Sequence, residues 1–297
     1  MSAWRRNCKS QLNGTTALIT GASAGIGKAT TIELAQLGAK VIMGCRNLEK
    51  TQSIIKDIIE SSEGKISEDQ LIPLKLELKS KASIKEFSEN VHKSFEKIQI
   101  LICNAGIVNE KLEHSDDGFE MQFAVNHLGH FYLTHLLMDI LENSGDDVRI
   151  VIVSSIGYRM GKIDFEDINF KTRAYSRFGA YAQSKLANIL FTKQLAEKYS
   201  CKQNLKFLVL HPGSVTTDIH NHSKIMSFLT NYLLKFMLKS PESGAHCSVY
   251  CATTNDSLVN GSYFEDCKPK KLSAIAEDMG VAEKLWKVSC EMLAIEW

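Results

Sequence analysis

The sequence predicts an α/β fold, doubly wound around a mostly parallel sheet and closed in a single domain. Short apolar, β-branched runs alternate with amphipathic helical stretches from Thr15 to the C-terminal end. The first of those runs enters a glycine turn that opens a helix, and no linker or internal repeat breaks the alternation. The length of 297 residues, with 44% hydrophobic and 23% charged, suits one large domain of this class, residues 15–297, behind a polar extension at 1–14.

The elements follow in order. Residues 15–20 (TTALIT) form a buried strand that runs into Gly21-Ala22-Ser23-Ala24-Gly25-Ile26-Gly27. Residues 28–37 then show helical periodicity, and Gly38 closes that helix at its C′ position. Glycines let the backbone approach a pyrophosphate, and the helix start offers free N–H groups and partial positive charge. In this setting nucleotide binding outweighs a merely structural turn. The second strand is 40–45 (KVIMGC), followed by a helix at 48–62, a strand at 71–78, a helix at 83–96 and a strand at 98–103. That last strand ends in Asn104-Ala105-Gly106, a second glycine turn at the sheet edge where ligands of doubly wound folds bind. A long helix at 120–141, a strand at 149–155 ending in two serines, and an irregular stretch at 156–178 lead to the helix of Tyr181. The strand 204–211 ends at Pro212-Gly213, and helices at 223–238, 241–251 and 281–295 with a short strand at 262–264 complete the chain.

Composition narrows the partners. A net charge of +1 with no long single-sign run gives nucleic acid no purchase. The 8 cysteines are dispersed without a CxxC pair and read as reduced, intracellular thiols. No apolar run approaches the ~18 residues of a membrane-spanning helix, and residues 1–12 lack the apolar core of a secretory signal. The expected location is intracellular, either cytoplasmic or peripheral on a membrane. Two pairs at helical spacing, His127 with His130 and Cys247 with Cys251, could ligate a metal, but neither has an evident third ligand; packing is the stronger reading and no metal is expected.

The chemistry centres on Tyr181-Ala182-Gln183-Ser184-Lys185. Four positions apart on a helix, Tyr181 and Lys185 share a face and can point into one cleft. A phenol titrates near pH 10 when unperturbed, and an adjacent cation favours the phenolate, so the pair suits proton transfer at an alcohol or carbonyl oxygen. Alone, such a pair is usually an ordinary surface Tyr and Lys; the glycine turns upstream change its meaning. At the end of the second strand, where an NAD site wants a carboxylate for the ribose 2′-hydroxyl, the chain has Cys45 and then Arg46. A cation there accommodates a 2′-phosphate, so NADP(H) is favoured over NAD(H), against the plainer alternative of an exposed arginine with no ligand.

These pieces, Thr20 to Gly27, Asn104-Ala105-Gly106, Asn126, Ser155, Tyr181 with Lys185, and Pro212-Gly213, resemble the short-chain dehydrogenase/reductases in order and along nearly the whole chain. Finer strings (Cys45-Arg46-Asn47, residues 125–131, 184–191 and 285–290) look like the retinol dehydrogenase branch; the oxidoreductase part of the WW domain-containing oxidoreductase is similar over the same region. The resemblance implies a Rossmann-type fold and alcohol–carbonyl interconversion. It makes Tyr181 the general acid in reduction and base in oxidation, and Lys185 the residue that lowers the Tyr181 pKa and holds the nicotinamide ribose. Ser155 is implied to bind the substrate oxygen, with Ser154 lining the cofactor, and Asn126 to hold a water-linked relay to Lys185. The implied cofactor contacts are Gly21, Ser23, Ala24, Gly25, Ile26, Gly27, Arg46, Asn47, Glu77, Leu78, Asn104, Ala105, Gly106, Tyr181, Lys185, Pro212, Gly213, Val215 and Thr217. Three departures stand out: Cys103-Asn104 replaces a double asparagine, Glu77 replaces an aspartate, and the membrane anchor of several branch members is missing. The apolar stretch 225–238 (IMSFLTNYLLKFML), within a lid expected at 222–240, is left as cleft cover or peripheral membrane contact. A small apolar alcohol or carbonyl is the expected substrate, with homo-oligomerisation open. The rivals are a steroid or xenobiotic carbonyl reductase and a non-catalytic NADP(H)-binding partner protein.

Overall fold

A computed structural model describes residues 3–213 and 240–297. The lid stretch 225–238, the helix expected at 223–238, and Val215 and Thr217 lie outside the described residues.

Why the sheet is buried on both faces is visible in the strand sequences. In β1 (Thr16–Thr20), Leu18 enters one apolar cluster while Ala17 and Ile19 enter the other. In β2 (Lys40–Cys45), Ile42 takes the first side and Val41 and Met43 the second. Period-two alternation with apolar residues on both faces is the signature of a covered parallel sheet. The strands β3 (Leu71–Lys75), β4 (Ile100–Cys103), β5 (Val148–Val153), β6 (Leu205–His211) and β7 (Tyr263–Glu265) follow. With a last strand β8 (Lys268–Lys270), the order is β3-β2-β1-β4-β5-β6-β7-β8, parallel throughout except for the last pair. This is the expected doubly wound arrangement. The strand order reverses between β1 and β4, so a crevice opens beyond the carboxyl ends of those two strands.

One face carries α1 (Gly25–Gln36), α2 (Leu48–Ser61) and the Pro241–Thr253 helix. The other carries α3 (Lys81–Ser94) and the helices Gly129–Glu142, Arg177–Lys198 and Met279–Leu293. In the cluster that holds Leu18 and Ile42, the Phe131 and Phe191 rings meet tilted with centroids 4.9 Å apart, and Trp286 lies 5.0 Å from Phe131.

Several boundaries differ from those read in the sequence. The third strand stops at Lys75 rather than residue 78, because Leu76 and Leu78 turn into the core and the Glu77 N–H is met by Ser83 Oγ at 3.0 Å. Ser80 caps α3 from one turn earlier, accepting from Ser83 N, so that helix spans Lys81–Ser94. The long helix expected at 120–141 is present but contains a π-turn, Ala124–Leu128, around Asn126. An eighth strand, β8 (Lys268–Lys270), pairs antiparallel with β7. Its tight turn places Asp266 and Cys267 at φ 51 and 58, a left-handed pair that hairpins usually fill with Asn-Gly, which hid it from sequence reading. The N-terminal stretch is knitted into the domain: Lys9 N donates to Thr253 O at 2.8 Å and Leu12 is buried.

The start of α1 sits hard against the turn that precedes it. A Cβ at Gly27 would lie 2.2 Å from Gly21 O and 2.6 Å from Asn104 Nδ2. Gly27→Ala should therefore cost about 1–3 kcal/mol, the usual range for overpacking. Urea denaturation measures it, and an unchanged midpoint would show that the contact yields freely.

Candidate active site

The crevice is built from the two glycine turns. Gly21 takes φ +67 and Gly25 φ +49, conformations that open the turn between β1 and α1 to close backbone approach. The second turn is tied to the first at the ends of their strands. Asn104 N and Ala105 N donate to Thr20 Oγ1 at 2.9 and 3.0 Å, and Asn104 Nδ2 donates to Thr20 O at 2.9 Å. A side chain at Gly21 would press on Ala105, with Cα at 3.1 Å. The N-cap of α1 is Ala24, which makes no side-chain cap, so the first N–H groups of that helix are left for a ligand. Glycine cradle, uncapped helix start and switch-point position together fit the pyrophosphate of a nicotinamide dinucleotide.

The other residues expected to contact a cofactor arrange around this cradle. Arg46 and Asn47 are exposed beyond the end of β2, with Asn47 Oδ1 capping α2 through Lys50 N at 2.9 Å. Glu77 and Leu78 follow β3, with Leu78 buried against Gly129. Pro212 and Gly213, the latter at φ +91, follow β6. All lie beyond the carboxyl ends of parallel strands, as do Asn104, Ala105 and Gly106.

The residues expected to handle the proton stand beside them. Tyr181 is half-buried and hydrogen-bonded to Ser155, which follows β5. Lys185 is 3% exposed, its Nζ 5.7 Å from the Tyr181 ring centroid and donating to Val153 O at 3.1 Å. Gly106 keeps space open: a Cβ there would meet Lys185 Nζ at 3.3 Å and Asn126 Oδ1 at 3.4 Å. Asn126 Oδ1 accepts from Ile107 N at 2.8 Å, while its Nδ2 donates to Ile107 O and Ser184 Oγ, both at 3.0 Å. Ser184 Oγ in turn donates to Tyr181 O at 2.8 Å. The chain segment after β4 is thus bound to the helix that carries Tyr181.

Two expectations need correction. Lys185 does not depress the Tyr181 phenol in this structure: burial pushes that pKa up, opposed by the Ser155 hydrogen bond. Burial also pulls Lys185 down, to about 8, because desolvation disfavours its charge. Ser154, expected at the cofactor, spends its hydroxyl within the protein. It is 2% exposed, and its Oγ donates to Lys185 O at 2.7 Å, which braces the Tyr181 helix against β5.

The His127 and His130 imidazoles are engaged elsewhere. Nε2 of His127 lies 3.1 Å from Ser289 Oγ, and burial holds the two rings down to about 3 and about 4 respectively. Among the described residues no group of three His, Cys, Asp or Glu side chains could hold a metal. Cys247 and Cys251 pack in the core, and the Cys247 thiol is hydrogen-bonded to both Cys251 and Cys267.

Sequence reading assigned no role to Ser184, His130 or Gly157. A Cβ at Gly157 would stand 3.5 Å from Ser155 Oγ and 3.6 Å from Tyr181 Cε1, so this glycine leaves the approach to both groups open. Ser184 sits inside the tyrosine–lysine segment, where its spacing from Tyr181 signals a backbone hydrogen bond. His130, one turn after Asn126, carries in the sequence only the alternatives of metal ligand and packing residue, the latter favoured.

Comparison with known proteins agrees with this geometry. The short chain dehydrogenase family model matches residues 15–226. Retinol dehydrogenase 14 of Mus musculus is 41% identical over 294 residues, covering 96% of this chain and 87% of that protein. Retinol dehydrogenase 13 of Homo sapiens is 39% identical over 294 residues, covering 97% and 87%. An uncharacterised protein of Mycobacterium paratuberculosis has a crystal structure with TM-score 0.77 and 31% identity, each chain 96% covered. A short chain dehydrogenase of Shigella flexneri, solved with NADP, shares the fold at TM-score 0.67 and 23% identity, covering 86% of this chain and 98% of that one. With a nicotinamide-type crevice at its switch point and these relatives along its length, the chain is an oxidoreductase of the short chain dehydrogenase family, in the retinol dehydrogenase branch.

Proposed function

We propose that the protein interconverts alcohols and carbonyls with NADP(H), using Tyr181 as its acid–base group and taking retinoid or other lipid-derived substrates. The observation that carries this reading is the convergence of Ser155, Tyr181 and Lys185 beside the glycine cradle, at the sheet edge next to the β1/β4 crevice. When bound, the cofactor supplies or accepts the hydride. The chain's own residues do the rest. Ser155 donates a hydrogen bond to the substrate oxygen and stabilises the charge that develops there. Tyr181 gives its proton to that oxygen in reduction and takes it back in oxidation. Its raised pKa keeps it protonated at neutral pH, which suits the reductive direction. Lys185 holds the nicotinamide ribose and, when charged, favours the phenolate left behind. Asn126 keeps the segment after Gly106 in place beside it. Arg46, exposed at the end of β2 where an NAD site would carry an acid, meets the 2′-phosphate.

Two features support an apolar substrate. Relatives that match nearly the whole chain include retinol dehydrogenases. Met160 and Phe178, 77% and 55% exposed, lie on the two segments that carry Ser155 and Tyr181. An apolar ligand would cover them. Among the described residues no helix is long and apolar enough to cross a membrane. In the same reading the protein works inside the cell.

Three outcomes follow from these assignments. Tyr181→Phe should lower carbonyl reduction with NADPH by about 10²–10⁴-fold, as loss of a general acid does, while NADPH fluorescence titration still shows binding. Retained turnover would remove Tyr181 from the chemistry, and binding without turnover in the wild type would favour a sensing role. Arg46→Ala should weaken NADPH by about tenfold or more, the scale of one charge-assisted hydrogen bond, and leave NADH unchanged. Equal effects on both cofactors would sink the assignment. The free enzyme keeps the Lys185 ammonium below about pH 8 and loses it above, so kcat/KM for NADPH should hold through neutral pH and fall beyond about 8. A rise through that range in a pH–rate profile would contradict it.

A further inference from the structure

His130 is fully buried between the two halves of the crevice. Its Nε2 lies 2.8 Å from Thr20 Oγ1 and its Nδ1 3.1 Å from Asn126 O. The proton positions along this line follow from counting. Thr20 Oγ1 already accepts from Asn104 N and Ala105 N, which occupies both of its lone pairs. Its single hydroxyl proton is therefore left for His130, so Nε2 accepts. A neutral imidazole that accepts at Nε2 carries its proton on Nδ1, and that N–H donates to the Asn126 carbonyl. Burial keeps the ring neutral at physiological pH, with its pKa near 4, and the Lys185 charge adds to that. The polarity of the line is then fixed: backbone N–H groups of the second glycine turn, Thr20 hydroxyl, imidazole, Asn126 carbonyl.

Asn126 is where fixing is needed. It lies in the π-turn Ala124–Leu128, which breaks the regular hydrogen-bond spacing of the long helix. Its side chain is spent on Ile107 and Ser184. The imidazole gives its carbonyl a donor of defined direction.

We propose that His130 is a positioning residue, which as the Nδ1–H tautomer ties the cofactor-side turn Asn104–Ala105 through Thr20 to the Asn126 carbonyl in the Lys185 cluster. The proposal rests on the reading that this turn holds cofactor and that the Lys185 cluster handles the proton. Its two bonds serve different steps: the Thr20 side sets cofactor affinity, and the Asn126 side sets turnover.

The two sides can be tested apart. In His130→Asn the shorter amide leaves an N–H near the position of Nδ1 and removes the acceptor for Thr20. In His130→Gln the longer amide leaves an oxygen near the position of Nε2 and removes the donor to Asn126. NADPH affinity by fluorescence titration, kcat with all-trans-retinal and thermal midpoint are measured for both. His130→Asn should weaken NADPH about tenfold with kcat within about twofold, and His130→Gln should do the reverse; tenfold is the scale of one buried polar group left unmet. Wild-type constants in both variants, or Kd and kcat moving together in each, would overturn the proposal, since a purely structural residue cannot split them. A readout independent of variant folding is ¹⁵N NMR of the histidine-labelled wild type. The proposal requires a neutral His130 protonated on Nδ1 at neutral pH, and protonation on Nε2 overturns it. If the wild type binds NADPH but reduces nothing, the enzymatic reading fails, while the tautomer and the NADPH affinity of His130→Asn still judge the Thr20 side.

Discussion

The junction between β1 and β4 governs the rest of the molecule. One threonine, Thr20, takes two backbone N–H groups of the neighbouring turn on its hydroxyl and an asparagine amide on its carbonyl. These bonds hold the two glycine turns at a fixed distance, and the distance is tight enough that Gly27 has no room for a methyl group. Everything that approaches the crevice is referred to this junction. The cradle faces it from one side, and Gly106 carries it to Lys185 and Asn126 on the other. The order of the strands supplies the crevice; the threonine sets its width.

Lys185 is the second constraint. A buried ammonium is costly, and the helix bearing it is secured at both backbone and side chain. Ser154 holds its carbonyl and Val153 accepts from its Nζ. The cost appears as a lowered pKa. Between about 8 and the ordinary lysine value of 10.5, the unfolded chain binds the proton that the folded one has lost, so this group's contribution to stability rises with pH there. Folding therefore tolerates Lys185 at neutral pH rather than gaining from it, and the phenol beside it is likewise pushed up by burial, a pairing of perturbed groups that accords with the proposed chemistry.

Much of this was legible in the residues. Apolar runs with β-branched residues gave the strands, and the two glycine turns at strand ends marked the ligand edge of the sheet, while the reversal of strand order at β1 and β4 is visible only in the fold. The candidate site was legible because its groups belong to one helix turn, Tyr181 to Lys185, or to the second residue past a strand, as Ser155 does. What was hidden depends on tertiary burial. No local pattern reports that burial raises the Tyr181 phenol against its Ser155 hydrogen bond, or that the Ser154 hydroxyl is spent on a helix carbonyl. His130 was hidden for a related reason: its partners lie 110 residues away at Thr20 and one turn away at Asn126, and only the fold brings them onto one ring. The β7–β8 hairpin escaped because Asp266-Cys267 is not a usual sequence for left-handed turn positions.

The most direct test of the central claim follows the hydride. The purified protein would be given all-trans-retinal and NADPH deuterated at the nicotinamide carbon that donates it, and the product examined by mass spectrometry. Retinol carrying one deuterium on the carbinol carbon is the predicted result. Unlabelled retinol, or no retinol while NADPH remains bound, would contradict it.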